Sequence, residues 1–169
     1  DHIVQQFTDD PVWIRSSGAA SDRLALHDRP SITQLLATQK ASKAAYSAAG
    51  LTSNDIDLAE VHDCFTIAEL MATEDLRFTQ QVEGGILASE GRGVRNEGSV
   101  CINPSGGLKS KGHPLGATGT GQAVEVFKQL RGTVEDSRQV GDAEIGLTHN
   151  VGGSGATCAV HIFGRERNG

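Results

Sequence analysis

The stretch that most constrains the fold is NPSGGLKSKGHPLGATGTG, residues 103–121, which holds one imidazole, His113, among six glycines. Pro114 follows directly and suits the first turn of a helix, which we expect over about 115–131 with Gly132 as its stop. His113 would then lie beside the positive end of the helix, where a protonated ring is disfavoured. The pattern predicts a neutral histidine that accepts a proton. The alternative is an ordinary surface histidine at a helix start.

Two glycine-rich phosphate-binding patterns do not fit this stretch. Gly107 and Gly112 have the spacing of a phosphate loop, but His113 and Pro114 stand where lysine and a hydroxyl residue are needed. Residues 119–121 lack the third glycine of a dinucleotide fingerprint and follow no predicted strand. The mismatch to each of these two motifs argues against a site that binds nucleotide phosphates.

A second candidate site lies at Cys64, two residues before Thr66. Residues 66–69 have the Thr-x-x-Glu form of a capping box, so we expect a helix from Thr66 to about residue 77. A thiol at a helix N-terminus usually has a lowered pKa, and His62 stands nearby on the same extended segment. The alternative is a buried, inert cysteine that closes a strand.

A third candidate site is the glycine-rich corner that begins with His149 and Asn150, between the last two predicted strands. Backbone amides of residues 152–155 are suited to donate to an oxyanion. The alternative is a simple hairpin turn.

Histidine and cysteine are common metal ligands, and these segments contain four such residues. The possible ligands are His62, Cys64, His113 and His149. None of them has the Cys-x-x-Cys or His-Glu-x-x-His spacing of a known metal motif, so no metal is predicted.

Composition excludes several classes of protein. The formal net charge of −6 argues against binding to a nucleic-acid backbone, and no apolar run is long enough to span a membrane. Three widely spaced cysteines, Cys64, Cys101 and Cys158, indicate reduced thiols and a cytoplasmic location. The sequence begins at Asp1 without a methionine, so it is read as a subunit, a fragment or a processed piece.

The order of predicted elements favours one α/β domain over residues 1–169. Ser31 and Gln34 form a second capping-box pattern, and Gly50 is a suitable helix stop. The predicted strands lie at about 11–15, 56–61, 144–148 and 156–163, the helices at about 32–49, 66–77 and 115–131, and a long loop at 79–100. This order predicts a mixed sheet covered by helices in an α/β/α arrangement.

Three motifs, in chain order, carry a resemblance to a known enzyme family. They are EVHDCFTIAEL at 60–70, the glycine-rich stretch at 103–121, and HNVGGSGA at 149–156. The second is similar to the Gly-His-Pro signature of thiolases. The first and third resemble the sterol-carrier-protein subgroup, which has His-Asp-Cys-Phe and a His-Asn form of the Cys-x-Gly motif. The chain therefore resembles a thiolase C-terminal half.

The resemblance implies a role for each matching residue. His113 corresponds to the histidine that activates the nucleophilic cysteine and helps to hold the thioester oxyanion. His62 takes the place of an asparagine that supports the oxyanion site, and Cys64 matches a proposed acid/base cysteine. His149 stands where other thiolases keep their second catalytic cysteine, and Gly155 matches a backbone oxyanion donor. The implied chemistry is reversible Claisen condensation or thiolysis of a 3-oxoacyl-CoA, with coenzyme A thioester as substrate and no tightly bound cofactor.

Glycines on the coenzyme A side are expected to let the thioester approach the backbone. They are Gly112, Gly116 and Gly155. The nucleophilic cysteine of a thiolase lies in the N-terminal half, and neither Cys101 nor Cys158 lies in a matching motif. The resemblance thus implies a second half or second chain as partner, in a homo- or hetero-oligomer.

Two alternatives remain open from the sequence. The chain is read alternatively as a subunit that binds a small OB-fold acyl-CoA-binding protein, or as a relative of steroid side-chain aldolases. The presence of both His113 and Cys64 favours the thiolase over the aldolase, because retro-aldol cleavage needs no cysteine nucleophile.

Overall fold

A five-stranded sheet organises the part of the chain that the computed structural model describes, residues 3–166. The strands are β1 Trp13–Ser21, β2 Leu58–Glu60, β3 Cys101–Ile102, β4 Ile145–Gly152 and β5 Thr157–Gly164. They lie in the order β1-β5-β4-β2-β3. β5 is antiparallel to both of its neighbours, whereas β2 is parallel to β3 and to β4. The predicted mixed sheet is confirmed.

Helices cover both faces of this sheet. They are α1 Leu36–Ala49, α2 Thr66–Asp75, α3 Gly84–Ser89, α4 Gly107–Lys111 and α5 Thr118–Leu130. α1 packs against β1 and β5 on one face, and α5 packs against β4 and β2 on the other. The side chains of β4 alternate accordingly, because Leu147 belongs to the core cluster beneath α1 while Gly146 faces Val126 of α5. The expected α/β/α arrangement is confirmed.

The core consists of two apolar clusters, one on each face of the sheet. Under α1, the fully buried Leu147 and Ile162 each stabilise the fold by about 1.5–3 kcal/mol relative to an exposed side chain. β1 and α1 approach so closely that a Cβ on Gly18 would lie 2.1 Å from the carbonyl oxygen of Ala41. Glycine is therefore required at position 18 for this helix to lie against the sheet.

The first main helix begins later than its capping-box pattern predicted. The hydroxyl of Ser31 accepts from the backbone N–H of Thr33, and α1 starts only at Leu36. The N–H of Leu35 donates instead to the Asp75 carboxylate at 2.6 Å. The predicted stop is confirmed, because Gly50 ends α1 with a φ of 67°.

α2 begins at Thr66 as predicted, but the predicted capping box is absent. The N-cap residue is Phe65, and it makes no side-chain capping bond. The Glu69 carboxylate accepts from the Asn103 side-chain amide at 3.0 Å, so it is turned toward the glycine-rich stretch. A long-range contact has taken the place of a local one.

Three further boundaries differ from the sequence predictions. The expected loop at 79–100 contains α3. α5 begins at Thr118, so a turn separates Pro114 from the helix. β4 continues to Gly152, and His149 therefore lies on a strand instead of in the corner. Within residues 3–166, no helix combines the length and apolar character needed to cross a bilayer.

Candidate active site

His62 lies just beyond β2, at the carboxyl end of the parallel part of the sheet. His62 is only 5% exposed, and its Nδ1 is buried without a hydrogen-bond partner in the described structure. Burial lowers the pKa of this imidazole, and the nearby His113 lowers it further, against an opposing effect of Asp63. The ring is therefore kept neutral near pH 7.

His113 follows α4 and is exposed to solvent. Its Nδ1 lies 2.7 Å from the Thr118 hydroxyl, which also lies 3.2 Å from the Pro114 carbonyl oxygen. A carbonyl can only accept, so the single hydroxyl proton of Thr118 goes to Pro114, and Nδ1–H of His113 donates to Thr118. This arrangement leaves the Nε2 lone pair of His113 available as a base.

The two imidazoles are in direct contact. The rings of His62 and His113 meet edge to face, with centroids 4.8 Å apart and planes at 82°. One ring is enclosed by protein and the other is open to solvent. The structure thus joins two residues that lie 51 positions apart in the sequence.

Cys64 is exposed on the same segment, two residues after His62. The expected low pKa of this thiol is wrong. Burial raises the pKa above its ordinary value, and the charge of Asp63 adds to this, while the backbone N–H groups of Phe65 and Cys64 lower it. The thiol therefore keeps its proton near neutral pH.

Cys64 should nonetheless react fastest of the three cysteines with iodoacetamide. Cys101 and Cys158 are buried, and burial raises the pKa of each to about 11. We expect labelling of Cys64 to be at least about 10-fold faster than that of either buried thiol. Its rate should continue to rise beyond pH 9, since its pKa is raised. Peptide mapping after timed labelling measures this, and a rate plateau below pH 8 or faster labelling of Cys158 would contradict it.

His149 is fully buried beneath α1. Its Nδ1 lies 3.4 Å from the backbone nitrogen of His62 and accepts that N–H, which leaves the proton on Nε2. Nε2 lies 2.9 Å from the Thr38 hydroxyl, and that hydroxyl donates to the Cys158 sulfur at 3.6 Å. Burial, with a smaller effect of His62, lowers the pKa of His149 to about 3. His149 therefore contacts the site through the main chain of His62.

The three glycines expected on the coenzyme A side differ in their surroundings. A Cβ on Gly112 or Gly116 would meet no atom within 4 Å, so both face open space. Gly155 has a φ of 85°, and a Cβ there would lie 2.6 Å from Leu35. Its N–H donates to the carbonyl of Gly152 at 3.1 Å. The amide expected to hold an oxyanion thus belongs to the turn between β4 and β5.

Comparison with known proteins gives the family. A family model described as thiolase C-terminal domain-like matches residues 18–165. The chain belongs to the thiolase C-terminal domain family. Two sequence relatives agree with this assignment, an acetyl-CoA acetyltransferase of Methanothermobacter thermautotrophicus and sterol carrier protein 2 of Homo sapiens. The resemblance carried by the three sequence motifs is confirmed.

The similarity covers this thiolase domain well but its relatives only in part. The acetyltransferase is 53% identical over 163 residues, which are 96% of this chain and 42% of the relative. Sterol carrier protein 2 is 46% identical over 119 residues, which are 70% of this chain and 21% of that protein. A solved Ltp2-ChsH2(DUF35) aldolase shares the fold, with a TM-score of 0.83 at 22% identity over 96% of this chain and 42% of that one. The chain therefore spans less than half of these relatives.

The sequence analysis did not identify several residues that contact the candidate site of this thiolase domain. They are Thr38, Glu60, Asp63, Lys111 and Thr118. Glu60 could have been identified from the sequence, because a carboxylate at the end of a short buried strand needs a hydrogen-bonding or charged partner. Thr118 offered none, since a threonine near a helix start is ordinary.

A cavity of about 360 Å³ lies away from this site. It is open to solvent on one side and is lined by α2, α3 and the segment around residue 94, with Leu70, Leu87 and Val94 among its walls. Glu69 lines it, and burial raises the pKa of that carboxyl. None of the four residues predicted to be catalytic lines this cavity.

Among the described residues, no three histidine, cysteine or acidic side chains are grouped closely enough to hold a metal ion.

Proposed function

We propose that this chain is the C-terminal catalytic part of a thiolase-type acyltransferase that acts on acyl-CoA thioesters. The observation that carries the proposal is the His62–His113 pair, with Nε2 of His113 left as a free base by its bond to Thr118. The acetyl-CoA acetyltransferase relative supports the same reaction class. The reaction is Claisen condensation or thiolysis of a 3-oxoacyl-CoA, with coenzyme A as carrier and no tightly bound cofactor.

Each residue of the pair has a distinct role in this proposal. His113 takes the proton of a nucleophilic cysteine and then donates Nε2–H to the thioester oxyanion. His62, buried and neutral, supports that oxyanion site. Cys64 is the acid/base residue: as a thiol it donates a proton to the α-carbon that thiolysis releases, and in the condensation direction its thiolate takes that proton back, as a strong base because its pKa is raised. His149 acts through the main chain of His62 and is a positioning residue.

The glycines belong to the same proposal as the face that coenzyme A approaches. Gly112 and Gly116 border open space, where a side chain would stand between backbone and thioester. Gly155 keeps the turn between β4 and β5 close to Leu35, and its conformation would strain any larger residue. A cytoplasmic location, which the three widely spaced cysteines of the sequence indicate, belongs to the same proposal.

The acyl acceptor is proposed to come from an N-terminal half or a second chain. Cys101 and Cys158 are buried and their pKa values are raised to about 11, so neither is suited to attack a thioester. Two large apolar side chains on α5, Val124 and Phe127, are 46% and 41% exposed. An exposed apolar helix face of this kind favours a packing partner. A small OB-fold acyl-CoA-binding protein remains a further proposed partner of the assembly.

The isolated chain should form no stable acyl-enzyme with acetyl-CoA. Its one exposed thiol, Cys64, is proposed to carry a proton and not the acyl group. Intact-mass spectrometry after incubation should show the unmodified chain. A stable acetyl adduct on Cys64 in a monomeric preparation would overturn this assignment and make Cys64 the nucleophile.

Activity of the assembled protein tests the function itself. Together with the N-terminal half, the chain should consume acetoacetyl-CoA in the presence of coenzyme A and release acetyl-CoA. The aldolase alternative, suggested by the shared fold alone, predicts cleavage of a β-hydroxyacyl-CoA without added coenzyme A. Turnover of the second substrate and not the first would replace the thiolase proposal by the aldolase.

A further inference from the structure

The short helix α4 is tied to the segment that carries His62 and Cys64 by two carboxylates. Asp63 accepts the N–H of Leu108, with its two oxygens 2.9 and 3.1 Å from that nitrogen. Glu60 reaches both sides of α4, because it binds Ser105 before the helix and Lys111 at its last position. A helix of five residues cannot hold its own shape, so these contacts determine where α4 lies.

Glu60 makes the stronger of the two connections. It is fully buried, and one oxygen accepts the N–H of Ser105 at 3.0 Å. The other accepts the Ser105 hydroxyl at 2.7 Å and the Lys111 ammonium at 2.6 Å. The Lys111 side chain is itself only 26% exposed. A buried carboxylate with three donors, one of them charged, is a fully paired network.

This network lies next to the exposed imidazole in the chain. Lys111 is the last residue of α4, and Gly112 caps the helix by donating to the Leu108 carbonyl at 2.9 Å. His113 comes next, so its backbone is two residues from the Glu60–Lys111 ion pair. Thr118 orients the ring but does not fix the main chain on the α4 side.

We propose that Glu60 and Lys111 are positioning residues for His113: their ion pair, with its carboxylate buried, holds α4 on the His62 segment and so sets the distance between the two imidazoles. The proposal rests on the proposed function, in which these two rings act together. Glu60 and His62 lie on one short segment. An ion pair from Glu60 to Lys111 therefore holds the backbone of His113 at a fixed distance from the backbone of His62. An error of about 1 Å in such a site can lower a rate about 100-fold.

The matched test is the double variant Glu60→Gln/Lys111→Met, which removes both charges together. Removing Lys111 alone would leave the Glu60 carboxylate buried without its cation, which is strongly destabilising. Lys111→Arg serves as the conservative rescue, and Lys109→Met as the control, because Lys109 is an exposed lysine on the same helix. Ser105→Ala, which removes one donor to Glu60, replaces the double variant if that variant does not fold.

Two measurements decide the proposal. In the chain itself, hydrogen exchange of the amides at 107–112 should become at least about 10-fold faster in the double variant, with the sheet amides unchanged. In the assembled enzyme, kcat should fall at least about 10-fold with KM changed by no more than about twofold. Lys111→Arg should recover most of the loss, and Lys109→Met should show none.

The contrary outcomes separate this proposal from the proposed function. Unchanged exchange in α4 would show that the ion pair does not hold the helix, and faster exchange with normal kcat would show that α4 does not position His113. Either result overturns the proposal. An assembled wild-type enzyme without thiolase activity would refute the proposed function, while exchange and the His113 ring resonances in NMR would still report whether the ion pair holds α4 and His113.

Discussion

Replacing His113 with alanine should lower the turnover of the assembled enzyme at least about 100-fold, the lower range for loss of a general base. The reason is the free Nε2 of His113, which in the proposed reaction both accepts and returns the proton of the nucleophile. Folding should change little, because the His113 side chain is exposed and lies outside both core clusters. Steady-state thiolysis of acetoacetyl-CoA and urea unfolding, measured on the same preparation, separate the two effects.

Thr118→Val is the matched control for this result. Valine keeps the volume of the buried threonine but removes the acceptor for Nδ1–H of His113. We expect a loss of about 1 kcal/mol in transition-state stabilisation, which is about fivefold in rate. A His113→Ala enzyme with near-normal turnover would exclude the base, and a Thr118→Val enzyme as slow as His113→Ala would make the hydroxyl the active group.

Two kinds of feature could be predicted from the sequence: elements with a regular apolar pattern, and helix ends marked by glycine. The ends of helices α1 and α5 were predicted from Gly50 and Gly132, because glycine readily adopts a positive φ. Both glycines have a positive φ in the structure. The strands β2, β4 and β5 were located because they contain short apolar runs between turn signals, whereas β3 was not predicted. Such features depend on a few neighbouring residues, so a single sequence contains the information.

Boundaries that depend on distant partners could not be predicted in this way. α1 begins where Asp75, 40 residues away, accepts the N–H of Leu35, and the local Ser31 pattern is left to a turn. Glu69 binds Asn103 instead of its own helix start. In each case a tertiary hydrogen bond replaced the local one, and no periodicity in the sequence indicates such a partner.

The candidate site shows the same division. The motifs identified His62, Cys64 and His113, and the structure brings the two imidazoles together. The predicted pKa of Cys64 was wrong. Its position just before a helix indicated a low value, whereas burial and the neighbouring Asp63 raise the pKa. Solvation of a side chain depends on the folded surroundings, and those surroundings come from the whole chain.

The location of His149 was missed because strand pairing extends β4 through it. His149 pairs with Val160 of β5, which turns its ring into the core beneath α1. An imidazole in that position must stay neutral, because Nδ1 faces the N–H of His62 and cannot also carry a proton. The pH dependence of folding should report this directly.

Folding stability should fall as the pH drops below about 6.5, and His149 should be a principal cause. The pKa of His149 is about 3 in the folded chain and 6.5 for the unperturbed side chain, so between these values the unfolded state binds the additional proton. The stabilisation is complete above pH 6.5 and is lost progressively down to pH 3. At pH 5 the loss is about 2 kcal/mol relative to pH 7. Urea unfolding at pH 7, 6 and 5 measures this change.

His149→Gln isolates this contribution from those of the other titrating groups. Glutamine can accept from His62 and donate to Thr38, so the two hydrogen bonds of the ring can be kept without a titratable group. The variant should lose about 2 kcal/mol less than the wild type between pH 7 and pH 5. His62 is common to both proteins, and its lowered pKa acts in the same direction in each. An unchanged pH dependence in His149→Gln would mean that His149 is protonated in the folded chain, and the hydrogen bond from His62 would then have to be absent.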